Sequence, residues 1–452
     1  MKNEGEGISI PLVGSAICRT RAALQRILHS SFVRNVALVA LGTAGAQAIT
    51  MAFSPLIARI FGPEVFGQFG IFTAIVAVVA PVAALAYPIA IVLPRDDGDA
   101  LQLVHLSFIV AFVISLLIAI LIIYGGDGLA AMLGAKTIAK YLILVPASMF
   151  FAAWVQITHQ WLIRKKEFTV ISHTAIVSSL IINVAKSGFG WIYPVNTILI
   201  AITVIGGSLH AALLFFGARK RCHIKRLSIY KKNNVSLKEL AYLHRDFPLY
   251  RAPQNVINAL SQSLPIIILA TLFGPTIAGF YALAQMVMGM PSNLIGKAVS
   301  DVFYPRITHA ADVGENIQHH IIKVTVTLLG IGLVPFGLVI FFGPEIFSIV
   351  FGADWAAAGE YARWLAFFFL FNFINKPAVA VVPVIGAQRG LLLYELFSAG
   401  LKVFGLYVGF YFFGSAIMAV ALFSIFGVLS YVVMILWIIF ESERWSVHAK
   451  TG

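Results

Sequence analysis

Residues 251–306 read RAPQNVINALSQSLPIIILATLFGPTIAGFYALAQMVMGMPSNLIGKAVSDVFYPR, which is two long apolar segments joined by Phe273-Gly274-Pro275. The first segment carries a polar stripe at helical spacing, and lipid would not tolerate such a stripe. The stripe consists of Gln254, Asn255, Asn258, Ser261 and Gln262. The second segment places Asn293, Lys297 and Asp301 at steps of four on one helix face. The two segments therefore predict a pair of helices that wall a polar cavity.

The composition places the chain in a membrane. Of its 452 residues, 60% are hydrophobic and 11% are charged, and the mean hydropathy of +0.92 lies outside the range of soluble domains. Runs of about 20 apolar residues predict spanning helices, whereas a β-barrel would show short alternating segments, which the sequence lacks. Twelve such runs occur, at 32–60, 69–93, 103–124, 139–162, 170–192, 196–217, 250–272, 277–304, 320–342, 361–385, 391–413 and 416–440. The sequence predicts an all-α polytopic membrane protein.

The chain is expected to contain an internal repeat that gives two structurally similar halves. Phe61-Gly62-Pro63 follows the first run just as Phe273-Gly274-Pro275 follows the seventh, 212 residues later. Since six runs lie on each side of a basic connection, the halves would be parallel pseudo-repeated six-helix bundles around a central cavity. The predicted division is a basic amphipathic N-terminal segment at 1–31, a bundle at 32–217, a basic linker at 218–249, a second bundle at 250–440 and a tail at 441–452.

The net charge of +13 does not indicate nucleic-acid binding, because the basic residues lie mostly on one side of the spans. Of the 32 lysines and arginines, 24 fall on the side that holds both termini and 4 on the opposite side. The positive-inside rule makes the first side cytoplasmic. Cys18 and Cys222 both fall on that reducing side, so no disulfide is expected.

Four lysines lie inside apolar runs, namely Lys186, Lys297, Lys376 and Lys402. At about 2.5–3.5 kcal/mol each, exposing them to lipid would cost of order 10 kcal/mol, which is comparable to the stability of a domain. They are therefore expected to point inward or to be paired. Glu395 is expected to pair with Lys402, and Asp301 with Lys297. Lys186 and Lys376 are then the clearest candidates for unpaired cations facing a cavity.

The first run also has a polar face, and this face permits two interpretations. Small and hydroxyl residues let membrane helices approach closely, and they also line cavities. Arg59, just before the first turn, either snorkels to the surface or points inward. The candidate cavity residues are Gln47, Arg59, Asn183, Lys186, Arg251, Gln254, Asn255, Asn258, Gln262, Asn293, Lys297, Lys376 and Lys402, and the candidates for coupling an ion are Asp301 and Glu395.

The sequence offers no catalytic machinery. It contains no nucleophile motif, metal-ligand cluster or phosphate-binding loop, so we expect no enzyme activity, no metal site and no cofactor. A cavity with excess positive charge suits an anionic substrate, for example a sugar linked to a polyprenyl diphosphate. Cations would bind the phosphates, and amide and hydroxyl side chains would bind the glycan.

Short motifs spread over residues 35–440 support a resemblance to a known family. They include Ser54-Pro-Leu-Ile-Ala-Arg59, Phe61-Gly-Pro-Glu64, Arg245-Asp-Phe-Pro-Leu-Tyr250, Gly279-Phe-Tyr-Ala-Leu-Ala284 and Val302-Phe-Tyr-Pro-Arg306. The chain resembles bacterial polysaccharide-biosynthesis flippases, the polysaccharide-transporter branch of the multidrug/oligosaccharidyl-lipid/polysaccharide exporter superfamily. These motifs are structural turns and not a catalytic signature.

The resemblance implies a V-shaped pair of lobes that alternate access to a cleft lined by spans one, two, seven and eight. It also implies translocation of undecaprenyl-diphosphate-linked oligosaccharide across the cytoplasmic (inner) membrane for O-antigen, capsule or exopolysaccharide. The implied partners are this lipid-linked oligosaccharide, membrane lipids, a polysaccharide polymerase and a chain-length regulator.

Three alternatives remain. A cation-coupled drug antiporter of the same superfamily would use membrane-embedded carboxylates. A lipid II flippase of the related fourteen-span type would need two further spans. A membrane glycan polymerase or ligase would need a sizeable outer loop with catalytic groups, and residues 343–360, the longest such stretch, are short.

Overall fold

Long helices make up nearly all of the fold. The structure, a computed structural model, describes residues 31–132, 136–221, 236–313 and 315–451, and these ranges contain no β-strand. The first half comprises α1 (Ser31–Val79), α2 (Tyr87–Ala90), α3 (Asp97–Met132), α4 (Val145–Arg164), α5 (Phe168–Ile192) and α6 (Asn196–Arg221). After the short helix α7 (Leu237–Leu243), the second half comprises α8 (Ala252–Phe273), α9 (Pro275–Asp312), α10 (Ile317–Phe351), α11 (Ala356–Ile374), α12 (Lys376–Val381), α13 (Gln388–Phe413) and α14 (Ala416–Thr451).

Twelve membrane crossings can be counted in the described part of the chain, as predicted. Ten stretches form helices that are long and apolar enough to span a bilayer. The first stretch, Leu38–Val82, holds two crossings, because the chain reverses at Gly62 inside α1. Residues on both sides of this reversal contact Trp355, whose indole N–H donates to the Ala58 carbonyl at 3.1 Å and whose ring lies 5.4 Å from that of Phe66. The 38 residues of α9, about 57 Å at 1.5 Å per residue, supply the twelfth crossing.

The Phe-Gly-Pro turn has the same backbone conformation in both halves. Gly62 has φ 69° and ψ 171°, and Gly274 has φ 91° and ψ 173°. Only glycine adopts this region without strain. The 212-residue repeat in the sequence is therefore a repeat in structure, and the two turns pack directly on each other where the halves meet. We call this end of the molecule the turn end.

The helices of each half pack mainly on one another. In the first half α1 packs along α5, and α4 packs between α3 and α6. In the second half α10 packs on α11, and α13 packs on α14. The halves meet chiefly where α1 contacts α8 and α9. This arrangement gives two helical bundles with a cavity between them.

The second crossing of the first half is broken, whereas its counterpart α9 is continuous. Proline removes a backbone donor and clashes with the preceding turn, so Pro81 and Pro88 favour a bend. The observed break is larger, because α1 ends at Val79 and both Leu85 and Ala86 have positive φ. Past the break, the Arg164 guanidinium donates several hydrogen bonds to the chain, including one to the Pro94 carbonyl at 2.6 Å.

Several predicted segments can be compared with the helices. Ser236 and Glu239 form a capping box at the start of α7, inside the predicted linker. The predicted tail at 441–452 continues α14 as a helix as far as Thr451. The amphipathic segment predicted at 1–31 and most of the basic run of the linker lie outside the described residues.

Candidate functional site

A cavity of about 930 Å³ lies between the halves, and both halves contribute to its walls. Helices α1, α5 and α6 line one side, and α8, α9, α11, α12, α13 and α14 line the other. Of the predicted site residues, the lining includes Gln47, Asn183, Lys186, Asn258, Gln262, Asn293, Lys376, Glu395 and Lys402. Residues far apart in sequence thus share one polar space.

The wall formed by the first half is built from hydroxyl and amide groups. The Ser179 hydroxyl donates to the Ala46 carbonyl at 2.8 Å, and the Asn183 amide donates to the Thr50 hydroxyl at 3.3 Å. These bonds hold α5 against α1, while the same residues line the cavity. Both interpretations of the polar face of α1 therefore apply. The Gln47 side-chain oxygen is buried in this wall and has no hydrogen-bond partner among the described residues.

The stripe on α8 lies partly in the cavity and partly beyond it. Gln262 lines the cavity and donates to the side-chain oxygen of Asn258 at 2.7 Å. Nearer the start of the helix, Arg251 donates to the side chain of Gln254 at 2.8 Å. Arg251, Gln254 and Asn255 are not part of the cavity lining. Only the part of the stripe deeper in the span faces the cavity.

Three lysines face the cavity without a salt bridge to any described acid. The Lys186 ammonium lies 4.7 Å from the centre of the Phe69 ring, within the range of a cation–π contact. The stem of Lys376 packs against Gly296, where an added Cβ would lie 2.9 Å from Cε. Lys402 lies 5.8 Å and 6.0 Å from the ring centres of Phe368 and Tyr431.

Glu395 and Lys402 both line the cavity and attract each other electrostatically, but the predicted ion pair is not formed as a direct salt bridge. Seven residues along a helix correspond to about 10.5 Å, whereas side chains meet at spacings of three or four. Lys402 therefore joins Lys186 and Lys376 as a cation facing the cavity. The other predicted pair cannot be compared, since the side chains of Lys297 and Asp301 lie outside the described residues.

Of the two positions predicted for Arg59, the structure excludes the one inside the cavity, because Arg59 is exposed and is not part of the lining. Its guanidinium donates to the Ile349 carbonyl at 2.7 Å, and its stem lies beside Gly352. These contacts join the first half to the second at the turn end, outside the cavity lining. A carbonyl from a distant helix satisfies the charge, and a single sequence does not reveal such a partner.

Sequence reasoning missed the aromatic side of the site. Phe368, Tyr394 and Tyr431 line the cavity and were not among the candidates. The Tyr431 hydroxyl accepts a hydrogen bond from the Asn372 amide at 2.6 Å. Tyrosines in the middle of apolar runs were the available signal, because a phenol buried in a membrane protein needs a polar partner.

Comparisons with known proteins agree with this architecture. A family described as "Polysaccharide biosynthesis protein" matches residues 56–360. The succinoglycan biosynthesis transport protein ExoT of Rhizobium meliloti strain 1021 is 23% identical over 365 residues, which is 80% of this chain and 70% of that protein.

Solved structures of transporters share the fold. The lipid II flippase MurJ in an inward closed conformation has a TM-score of 0.68 at 14% identity, covering 91% of this chain and 90% of MurJ. A transporter from Pyrococcus furiosus described as a member of the MOP superfamily has a TM-score of 0.61 at 13% identity, covering 91% of this chain and 96% of that one. A multidrug resistance transporter of the MATE family in an outward-facing conformation has a TM-score of 0.56 at 14% identity, also covering 91% and 96%.

Proposed function

The chain belongs to the polysaccharide biosynthesis protein family and is a multi-pass membrane transporter; from this premise we propose that it flips a lipid-linked oligosaccharide across the membrane. The substrate would be an oligosaccharide repeat unit on undecaprenyl diphosphate, and the product a unit on the outer leaflet ready for polymerisation. The protein would alternate between states in which the cavity opens to one side and then to the other.

The observation that carries the proposal is that Lys186, Lys376 and Lys402 share one cavity. Lysines at membrane depth are costly unless they face water or a charged ligand. A diphosphate supplies several negatively charged oxygens, and charge-assisted hydrogen bonds to ammonium groups are about twice as strong as neutral ones. The amide and hydroxyl groups of the walls suit the hydroxyls of a glycan.

The orientation in the membrane follows from the charge distribution. The side of the spans that carries 24 of the 32 basic residues would face the cytoplasm, with both termini there. The turn end would then face outward. In a bacterium this is the cytoplasmic membrane, where a polysaccharide polymerase and a chain-length regulator would receive the flipped unit.

A drug antiporter is a weaker proposal for this cavity. The multidrug resistance transporter shares the fold with this chain at low identity. A cationic drug would meet three ammonium groups and, among the described lining residues, a single carboxylate, that of Glu395. Glu395 is better proposed as a group that binds a coupling ion. A polymerase is also disfavoured, because none of the connections described at the turn end is longer than residues 136–144.

Deletion of the gene followed by analysis of lipid-linked intermediates tests the proposal. We expect complete repeat units to accumulate on the inner leaflet, protected in intact spheroplasts from a glycosidase that cannot cross the membrane. Lysed spheroplasts provide the control, since lysis exposes both leaflets. Single units displayed on the outer leaflet would instead indicate a polymerase.

A further inference from the structure

The two halves line the cavity with different chemistry. All six phenyl and phenol rings among the described lining residues come from the second half: Tyr281, Phe368, Phe369, Tyr394, Phe423 and Tyr431. The lining residues described in the first half include amides, hydroxyls and Lys186, and no phenylalanine, tyrosine or tryptophan. A ligand between the halves therefore meets phenyl and phenol rings on one side only, and the His210 imidazole on the other.

Five of the six rings, those of Tyr281, Phe368, Phe369, Phe423 and Tyr431, form a continuous cluster centred on Phe368. Its ring centre lies 5.4 Å from that of Tyr431, 5.3 Å from that of Phe423 and 5.2 Å from that of Phe369. These separations are typical of packed aromatic pairs. Phe369 and Phe423 are buried, whereas Phe368, Tyr394 and Tyr431 are only half-buried and keep ring surface available to a ligand.

Contacts from three helices hold these rings in place. Asn372 on α11 donates to the Tyr431 hydroxyl on α14 at 2.6 Å and accepts from the Ser292 hydroxyl on α9 at 3.1 Å. Gly427 on α14 leaves room for Phe368, because a Cβ there would lie 2.5 Å from the ring. Aromatic side chains fixed in this way lose little conformational entropy when a ligand binds.

Polar groups lie in the cavity wall beside these aromatic rings. Lys402 and the exposed Glu395 project from α13 into the same part of the cavity. The Asn375 side-chain oxygen is buried in the wall and has no hydrogen-bond partner among the described residues. The rings of Tyr431 and Phe423 are tilted by 47° and 42° to that of Phe368, so they form a concave aromatic surface, and such a surface with donors and acceptors at its edge is complementary to a pyranose. Such a sugar presents C–H groups on its face and hydroxyls around its rim, and the C–H groups pack on the negative face of an aromatic ring.

We propose that this aromatic wall is the sugar-ring subsite of the cavity. Phe368, Tyr394 and Tyr431 pack against the C–H groups of a pyranose, and the Asn375 side chain binds one of its hydroxyls. The inference rests on the proposed function. It assigns the sugar and the diphosphate of the substrate to different halves of the protein. The sugar lies against the second half, and Lys186 across the cavity faces the diphosphate.

The test compares two short-chain lipids, a polyprenyl diphosphate and the same lipid carrying one glucose, for binding to the purified full chain in nanodiscs. We expect the wild type to bind the glucosylated lipid more tightly. Tyr431→Leu or Phe368→Leu should lower affinity for that lipid about tenfold and leave affinity for the sugar-free lipid unchanged. Tyr431→Phe keeps the ring and should keep the preference. Tyr411→Leu is the matched control, because Tyr411 is exposed on α13 outside the cavity.

Each other outcome has a definite meaning. Equal binding of both lipids by the wild type would overturn the proposed sugar subsite. It would not contradict the proposal that the protein transports a lipid diphosphate. A preference for glucose that survives both leucine variants, or leucine variants that weaken both lipids equally, would also overturn it. Failure of the wild type to bind either lipid would overturn the proposed function and the subsite with it.

Discussion

Gly67 and Gly279 lie 212 residues apart and make the same contact from opposite sides of the molecule. A Cβ at Gly67 would overlap the carbonyl oxygen of Pro275, and a Cβ at Gly279 would overlap the carbonyl oxygen of Pro63. The two prolines belong to the repeated turns. The turn end is therefore closed by backbone packed on backbone, with no room for a side chain. Any state open at this end must separate these contacts.

Gly279→Ala should force the turns apart, because backbone atoms cannot move aside as a flexible side chain can. We expect less transport and a more open turn end. Spin labels on cysteines at Tyr193 and Phe412, with Cys18 and Cys222 replaced by serine, should report longer distances between the halves. Gly188→Ala is the control, since nothing lies within 4 Å of a Cβ there. An unchanged distance distribution in Gly279→Ala would contradict this account.

Neutralising any one of the three cavity lysines should impair transport to a similar extent. Each of Lys186→Gln, Lys376→Gln and Lys402→Gln removes a group able to make a charge-assisted hydrogen bond, worth about 1.5–3 kcal/mol or at least tenfold. Surface polysaccharide at matched protein levels is the measurement. Lys323→Gln serves as the control, because Lys323 is exposed and lies outside the cavity lining. If Lys402→Gln lowered surface polysaccharide only mildly while Lys186→Gln and Lys376→Gln lowered it strongly, Lys402 would not contact the substrate.

Much of the cavity could be predicted because a membrane restricts where polar groups can lie. Spacings of three and four placed Asn183 on one face of α5 and Asn258 and Gln262 on one face of α8, and lipid excluded the outward direction. The repeated Phe-Gly-Pro turn likewise indicated two related halves, because its backbone conformation requires glycine.

The remainder depends on contacts between distant helices. Arg59 could be satisfied by water, an acid or a carbonyl, and the Ile349 carbonyl became its neighbour only through folding. The aromatic wall was missed for a related reason. Tyrosine is common both in cavities and at membrane surfaces, so Tyr394, near the start of its run, could face either way, and only the central position of Tyr431 in its run indicated an inward direction.

The connection between α9 and α10 should stabilise the protein in a pH-dependent way. Glu315 forms salt bridges of 2.7 Å with Arg306 and with His320. The hydrogen bond from Arg306, followed by that from His320, lowers the pKa of the Glu315 carboxyl below its usual value. A carboxyl with a lowered pKa adds stability above its unfolded pKa, and this contribution is lost as the pH falls through the folded pKa.

The check is the difference in thermal unfolding temperature between wild type and Glu315→Gln, measured across pH. We expect a small difference at neutral pH that disappears under acidic conditions below the usual glutamate range. High salt should reduce it, since the pair is exposed. A difference that grows on acidification would show that the sign is wrong.

The bridge formed by Asn372 should contribute to stability as well as to the shape of the cavity. Asn372→Leu removes the acceptor of the Ser292 hydroxyl and the donor to Tyr431, and it leaves the fully buried Ser292 without its partner. Leaving a buried polar group unpaired costs about 1–3 kcal/mol, so we expect a clear drop in unfolding temperature.

Ser292→Ala removes one hydrogen bond and leaves the bond to Tyr431 in place, so its cost should be smaller. The double variant should be less destabilised than the sum of the single variants, because the two residues share one interaction. Strict additivity would show that the bond between Ser292 and Asn372 contributes nothing.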